Sequence, residues 1–252
     1  MIVLKSPREI EKIRQSNAIV AEVLEVLKNK TEPGMDTLTL DRISEELALK
    51  RGAKPAFKGY RGFPYSLCAS VNQQVVHGFP SKRPLKEGDI LSMDFGILYQ
   101  GYYGDSAITV SVGQVSETAQ RLITTTREAL FLGIEQAVPD KRLSDISHAV
   151  QSHAEGAGFS VVRKFVGHGI GKELHEDPQI PNYGKPGVGI RLKEGMVLAI
   201  EPMINEGGYD VETLEDGWTT VTKDGSLSAH FEHTVAITEQ GPVILSAKNG
   251  SA

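Results

Sequence analysis

Apolar residues recur at helical spacing near the start of the chain. Ser6-Pro7 opens the first predicted helix, because serine caps helices, proline suits the first turn and a glutamate follows three positions after the serine. The apolar stripe ends at Pro33-Gly34, where the pattern predicts that the helix stops. A second helix is predicted over residues 40–51. Two further predicted helices, over residues 117–137 and 143–155, repeat this arrangement of helix, proline-containing turn and helix.

A strand pattern follows each pair of predicted helices and repeats along the chain. LKEGDILSMDFG recurs 107 residues later as LKEGMVLAIEPM, which superposes Asp94 on Glu201. A second predicted strand follows each of these and also begins with an acid, Asp105 in DSAITV and Glu232 in EHTVAIT. Chance recurrence of LKEG as a turn before edge strands is the alternative, and the matched second acid argues against it.

The repeat predicts the organisation of the chain. Two similar halves, roughly residues 1–112 and 113–252, each contain two helices followed by two strands. Such halves can pack as one pseudo-symmetric domain over residues 1–252, with strands inside and helices outside, which is an α+β layer arrangement.

Composition narrows the function classes. The 252 residues are 40 % hydrophobic and 23 % charged, as in a globular protein that buries a sizeable core. The net charge of −5 argues against nucleic acid as the main ligand, since that needs a basic surface. The single cysteine, Cys68, excludes an internal disulfide and a cysteine-based zinc site. No run matches a secretory signal or a membrane span, so we expect a cytoplasmic protein.

The four repeated acids lie in strands that offer them no cationic partner. Alternation places Asp94 on one strand face with Ile90 and Ser92. The stretch DFGILYQGYYGDSAITV contains no lysine or arginine, so carboxylates converging there would repel one another and raise each other's pKa. Divalent cations resolve this repulsion, and four carboxylates can hold two ions if some of them bridge, as in two-metal hydrolytic sites. Any single acid could equally be a surface residue, so this prediction depends on the repeat.

Two histidines stand seven positions apart in VGHGIGKELHEDP, His168 and His175. Seven residues of continuous helix span about 10 Å, so we expect that the two imidazoles do not share one ion. The glycines around His168 favour a loop or a bulged strand. One histidine is expected to complete the carboxylate site while the other faces the substrate. His230, two positions before Glu232 and predicted on the same face of the same strand, is the main rival as an additional ligand. The position of His77 alone favours a core or loop residue.

The motifs VVHGFP, SMDFG, GYYGDSAITV, GHGIGKELHEDP, AIEPM and HFEHTVAIT together resemble those of the type I methionine aminopeptidases, in their short bacterial form. The resemblance runs from about Leu4 to about Ile244 and covers nearly the whole chain. It implies the pita-bread fold, in which a pseudo-two-fold repeat packs helices outside a curved antiparallel sheet. It also implies removal of the N-terminal methionine from nascent proteins whose second residue is small, by attack of a metal-activated hydroxide on the first peptide bond.

Residue by residue, the resemblance implies a role for each matched position. The metal ligands would be Asp94, Asp105, His168, Glu201 and Glu232, with Asp105 and Glu232 bridging two divalent ions. Glu201 would also shuttle a proton, His175 would stabilise the oxyanion, and His77 would hydrogen-bond the scissile amide or the following residue. The methionine pocket would be lined by Tyr60, Phe63, Cys68 and Trp218. Leu174 stands where an aromatic residue is expected in many relatives, which leaves the shape of that pocket open.

One imidazole and four carboxylates suit cobalt, manganese, iron or zinc and do not select among them. The implied partner is the N-terminus of a nascent chain, with transient ribosome association, no nucleic-acid function, no membrane and a monomeric state. Two alternatives remain. One is an Xaa-Pro peptidase of the same fold, whose members usually carry an additional N-terminal domain. The other is a non-catalytic relative that binds ribosome or nucleic acid, which predicts lost ligands or basic insertions that are not found here.

Overall fold

Four α-helices form in a computed structural model of the protein, which describes residues 2–247. They are α1 (Pro7–Lys30), α2 (Thr37–Lys50), α3 (Glu117–Glu135) and α4 (Leu143–Gly156). The first begins where the sequence predicts, because Ser6 and Glu9 form a reciprocal capping box. The second begins three residues earlier than predicted, because Asp36 caps it by accepting a hydrogen bond from the Thr39 amide at 2.9 Å. Among the helices of the described part of the chain, none has the length and apolar character needed to cross a membrane.

The strands are short except for three in the main sheet, of ten, ten and seven residues. In chain order they are β1 (Lys54–Pro55), β2 (Cys68–Val71), β3 (Gln74–Val76), β4 (Ile90–Tyr99), β5 (Tyr102–Ser111), β6 (Ser160–Val161), β7 (Gly167–Gly169), β8 (Glu176–Ile180), β9 (Val197–Ile200), β10 (Met203–Asn205), β11 (Val211–Thr213), β12 (Thr220–Thr222), β13 (Ser228–His230), β14 (Glu232–Thr238) and β15 (Gly241–Ile244). The nine-stranded main sheet has the order β1-β4-β5-β14-β9-β7-β8, with β2 also on β4 and β15 also on β14. Two three-stranded sheets, β13-β10-β6 and β11-β12-β3, lie beside it.

Helices cover the main sheet with two apolar clusters. Leu91, Met93 and Phe95 of β4 are fully buried and pack with residues of α1 and α2, such as Val20 and Leu40. This agrees with the predicted alternation, which places these three side chains opposite Asp94.

The second cluster joins β9 and β14 to the other helix pair. Leu198 and Ile200 pack there with Leu130 of α3 and Ile146 of α4. Each pair of helices therefore covers one pair of central strands, in the predicted α+β arrangement. The description of residues 1–252 as a single domain with two related halves stays a prediction.

The order β4-β5-β14-β9 sets the four acid-bearing strands side by side. Strands β4 and β5 pair continuously from Ile90↔Ser111 to Tyr99↔Tyr102. Neighbouring β5 and β14 pair at Ala107↔Glu232. The sheet thus brings together acids that are up to 138 positions apart in the sequence.

The sequence pattern placed His230 and Glu232 on one strand, and this is wrong. His230 ends β13, which belongs to a small sheet, whereas Glu232 begins β14 of the main sheet. The chain passes from one sheet to the other at Phe231, whose amide donates to the Pro202 carbonyl at 3.3 Å. Period-2 alternation assumes an unbroken strand, so it could not show this crossing.

Candidate metal centre and substrate cavity

One cavity of about 160 Å³ is lined by every residue predicted for the site. These are Asp94, Asp105, His168, Glu201 and Glu232, the histidines His77 and His175, and the pocket residues Tyr60, Phe63, Cys68 and Trp218. Leu174 lines it as well. Sequence reasoning missed Phe57 and Arg61, which complete the lining. The segment KGYRGFPY could have indicated Arg61, because this arginine lies between two glycines in a segment rich in aromatic residues.

Small residues opposite the acids leave room for their carboxylates. Asp105 on β5 faces Gly96 on β4 in the strand register, and Asp94 and Glu232 both pair with Ala107. A Cβ added at Gly96 would lie 2.8 Å from the Phe57 ring and 3.1 Å from Asp105 Oδ1. Glycine at this position is therefore required for the close approach of a carboxylate to the sheet.

The buried carboxylates have oxygens without partners. Ligand atoms of Asp105, His168 and Glu232 lie within 4.8 Å of one another. Within residues 2–247, five buried side-chain polar atoms lack a hydrogen-bond partner, and four are at this site: Asp94 Oδ1, Asp105 Oδ1, Glu232 Oε1 and His230 Nε2. Buried polar atoms in proteins are normally satisfied, so such a cluster needs an explanation. An oxygen-rich set with one imidazole nitrogen fits divalent cations.

Electrostatics supports the same interpretation. Burial raises the pKa of Asp94 to about 7. The pKa values of Asp105, Glu201 and Glu232 rise well above the usual range, first through burial and then through neighbouring carboxylates. Among residues 2–247, Arg61 is the one lysine or arginine that lines the cavity beside them. Several buried carboxylates can be ionised together only if cations neutralise them.

The hydrogen bonding of His168 leaves its Nε2 atom available to a metal ion. Its strand, β7, bulges between His168 and Gly169, as the glycine-rich motif predicts. A Cβ at Gly167 would meet the Ala199 carbonyl oxygen at 2.4 Å, so the strand must be glycine-flanked to lie this close to its neighbour. The imidazole donates its Nδ1 proton to the Gly169 carbonyl at 2.9 Å, which leaves the Nε2 lone pair free, 3.5 Å from Glu201 Oε1. Burial lowers the pKa of His168 to about 3, so the ring is neutral.

The expectation that sequence spacing separates the two histidines is wrong. The ring centroids of His168 and His175 lie 4.4 Å apart. The expectation used the rise of a helix, whereas β7 and β8 form an antiparallel pair that folds the chain back on itself. Their hydrogen-bond partners distinguish them instead, because His175 Nδ1 lies 2.9 Å from the Tyr60 hydroxyl and His168 Nδ1 is bonded to a carbonyl.

Two further histidines border the carboxylates. His77 has a left-handed backbone, with φ of 59°, and its ring packs edge-on against Trp218 at 6.0 Å. Such backbone conformations of non-glycine residues concentrate at functional sites. His230 is buried, and its unpartnered Nε2 lies 3.7 Å from Glu201 Oε2. Burial lowers the pKa of His77 to about 4 and that of His230 to about 3.

An apolar recess forms the other end of the cavity. Phe63 and Trp218 contact edge to face, with ring centroids 5.2 Å apart. Cys68 pairs with Asp94 across β2 and β4, and burial raises the pKa of its thiol, so it contributes an uncharged surface. Leu174 is buried beside them. The recess therefore has the character of a site for one apolar side chain, next to the carboxylates.

Comparison with known proteins identifies the family. The model of metallopeptidase family M24 matches residues 11–239. The chain belongs to this family. It is 56 % identical to the methionine aminopeptidase of Clostridium perfringens, over 97 % of this chain and 98 % of that protein. It is 50 % identical to the methionine aminopeptidase of Thermotoga maritima, whose crystal structure superposes with a TM-score of 0.97 over 98 % of this chain and all of that one. These likenesses confirm the predicted resemblance and the predicted pita-bread fold.

Proline-specific peptidases of similar fold are less similar to this chain. The prolidase of Pyrococcus horikoshii superposes with a TM-score of 0.79 at 23 % identity, over 99 % of this chain but only 65 % of the prolidase. This likeness shows a shared fold alone. The Xaa-Pro alternative is therefore not favoured.

Proposed function

We propose that this chain removes the N-terminal methionine of nascent proteins whose second residue is small, by metal-assisted hydrolysis of the first peptide bond. The convergence of five side chains that could ligate metal and an apolar recess on one cavity carries the proposal. Relatives named methionine aminopeptidase, at 50 % and 56 % identity, support the same activity. The cavity of about 160 Å³ is smaller than the roughly 300–1,000 Å³ typical of drug-sized ligands, which suits a single side chain and its peptide bond.

Asp94, Asp105, His168, Glu201 and Glu232 would hold two divalent ions, drawn from cobalt, manganese, iron or zinc. Their unpartnered oxygens and raised pKa values support this assignment. When bound, such ions supply Lewis acidity and activation of water. Asp105 and Glu232 would hold the ions from the two adjacent central strands of the sheet, β5 and β14.

Glu201 is the proposed proton carrier. Its carboxylate lies between His168 Nε2, at 3.5 Å from Oε1, and His230 Nε2, at 3.7 Å from Oε2. Burial raises its pKa, so it accepts a proton more readily than an ordinary glutamate. We assign Oε2 the transfer of a proton from the attacking water to the leaving amine, with His230 beside it.

His77 and His175 are proposed to orient the substrate. Burial lowers the pKa of each, with Arg61 contributing at His175, so both rings are neutral near pH 7. A neutral imidazole offers one donor and one acceptor without adding charge. His175 would donate to the carbonyl oxygen as negative charge develops on it, and His77 would bond the scissile amide or the next residue.

The methionine side chain would occupy the recess formed by Tyr60, Phe63, Cys68 and Trp218. Leu174, where an aromatic residue was expected, gives this recess an aliphatic wall. Binding there would fix the first peptide bond beside the carboxylates, so that the reacting groups are held in place before reaction.

The setting of the activity is part of the proposal. We place the protein in the cytoplasm, as a monomer that associates transiently with the ribosome and acts on nascent N-termini. The names of its relatives support the action on N-terminal methionine alone.

Hydrolysis of a Met-Ala-Ser peptide by metal-reconstituted protein tests the proposal. We expect release of methionine that stops after chelation and returns when the metal is restored. An Ala-Pro peptide is the matched control, and we expect it to stay intact. Cleavage of Ala-Pro alone, or methionine release that is indifferent to chelation, would overturn the proposed function.

A further inference from the structure

Tyr60 and His175 form a direct pair at the mouth of the cavity. The Tyr60 hydroxyl oxygen lies 2.9 Å from His175 Nδ1. The two rings also stack, with centroids 5.3 Å apart and an angle of 28° between their planes. Because 115 positions separate the two residues in sequence, the contact is made by the fold and not by the local chain.

The backbone of the segment that carries His175 is held independently of this pair. Glu176 accepts hydrogen bonds from the amides of Lys172 and Glu173, at 2.8 and 3.2 Å. Its other oxygen pairs with the buried Lys5 ammonium at 2.6 Å. These contacts fix the main chain but do not touch the imidazole, so they leave its rotation and its tautomer free.

The two neighbouring histidines differ in what their Nδ1 atoms contact. A carbonyl oxygen can only accept, so the bond to Gly169 places the proton of His168 on Nδ1 and leaves a lone pair on Nε2. A phenol can donate. Donation from Tyr60 would make His175 Nδ1 the acceptor and place its proton on Nε2.

Arg61 favours this direction of donation. Its guanidinium lies 5.3 Å from the Tyr60 ring centroid. A nearby positive charge stabilises electron density on the phenol oxygen, which makes its O–H a stronger donor, and it disfavours an additional proton on His175.

We propose that Tyr60 is a positioning residue that holds His175 in the tautomer with the proton on Nε2, opposite to that of His168. This inference rests on the proposed function, in which His175 donates to the substrate carbonyl oxygen. The pair explains how two imidazoles with centroids 4.4 Å apart perform different tasks. One offers a lone pair to metal and the other offers a proton to substrate.

Tyr60→Phe is the central variant, because it removes the hydroxyl and keeps the ring in the recess. We expect kcat for Met-Ala-Ser to fall about 3- to 10-fold, the range of one neutral hydrogen bond. KM should stay within about 2-fold, because the apolar wall is intact. Tyr65→Phe is the matched control, since Tyr65 packs against Phe63 and Phe79 outside the cavity lining, and we expect it to behave as the parent protein.

A double-mutant cycle and a spectroscopic measurement separate positioning from packing. In a His175→Ala background, Tyr60→Phe should have no further effect on kcat, because the group through which it acts is gone. In zinc-loaded protein, which is diamagnetic, ¹⁵N spectra of labelled histidine should show His175 with a protonated Nε2, and Tyr60→Phe should turn this into a mixture of tautomers. His168 should keep its protonated Nδ1 in both proteins.

The outcomes distinguish this inference from the proposed function. An undiminished Tyr60→Phe penalty in the His175→Ala background, or an unchanged His175 spectrum in Tyr60→Phe, would overturn the positioning role alone. Full activity of His175→Ala would instead remove the substrate role of His175 from the proposed function, and the inference would fall with it.

Discussion

The two acidic strand pairs place their carboxylates by different means. Strands β4 and β5 are joined by the two residues Gln100-Gly101 and pair at ten consecutive positions. Strands β9 and β14 pair at four positions, and the chain between them leaves the main sheet altogether. The acids of the first pair are 11 positions apart in sequence and those of the second pair 31.

The longer connection contributes more than ligands. Between Glu201 and Glu232 the chain forms β10 to β13, which build most of the two small sheets. This connection places Trp218 at the substrate recess and His230 beside Glu201. The comparison divides the proposed roles between the two pairs: the β4–β5 hairpin would supply metal ligands alone. The β9–β14 pair would supply ligands and connect them to the substrate recess.

The largest predicted effect is the loss of activity and metal when one acid of either strand pair is changed. Asp105→Asn and Glu232→Gln each replace a proposed charged ligand with a neutral side chain of nearly the same shape. We expect each to lower kcat/KM at least about 100-fold and to reduce bound metal, since changes outside the ligands themselves already cost roughly 10–100-fold. Metal content by elemental analysis and hydrolysis of Met-Ala-Ser measure the two effects.

Glu212→Gln on the exposed strand β11 is the control, and we expect it to keep both metal and activity. Loss of activity in only one of the two ligand variants would contradict equivalent roles for the two central strands.

Trp218→Ala tests whether the connection between β9 and β14 acts on substrate binding alone. It removes one wall of the recess but touches no carboxylate, so we expect kcat/KM for Met-Ala-Ser to fall about 10- to 100-fold, mainly through KM, while bound metal is unchanged. Leu214→Ala, at an exposed site in the same connection, is the matched control. A fall in metal content in Trp218→Ala would show that the connection between Glu201 and Glu232 also holds the proposed metal ligands in place.

The metal-free protein should gain stability on mild acidification. The folded pKa of Asp94 is about 7, whereas its ordinary value is 3.8, so between these values the folded state binds more protons than the unfolded state. The unfolding free energy should therefore rise as pH falls from about 7 to about 4, by about 1.4 kcal/mol per pH unit for each proton taken up. This contribution is lost as pH rises through the folded pKa.

Urea unfolding of chelated protein across that pH range measures the slope. Asp94→Asn should flatten it below pH 7, and Glu232→Gln should also reduce it, because burial and neighbouring carboxylates raise the pKa of Glu232. The metal-loaded protein should lack this slope, and an equal slope with and without metal would show that these carboxylates are not its source.

The features that could be predicted from the sequence are those that follow from alternation within one strand or from the repeated motif. Alternation in β4 identified the buried face, and the repeated acids predicted neighbours that the sheet order places side by side. The proximity of His168 and His175 could not be read from spacing, because it depends on the pairing of β7 with β8. Arg61 was missed because it reaches the cavity from a short 3₁₀ turn in which its φ is 49°, a left-handed conformation that apolar spacing does not predict.

The smallest predicted effect tests whether the hairpin turn itself matters to the site. Gly101 has a φ of 82° and open space where a Cβ would stand, so Gly101→Ala adds backbone strain and no clash. We expect the unfolding free energy to fall by about 1 kcal/mol, with metal affinity and activity unchanged. Gly156→Ala, at the end of α4 and also in open space but without a positive φ, is the control and should be neutral or slightly stabilising. Weaker metal binding in Gly101→Ala would mean that the turn, and not the ten paired positions behind it, sets the distance between Asp94 and Asp105.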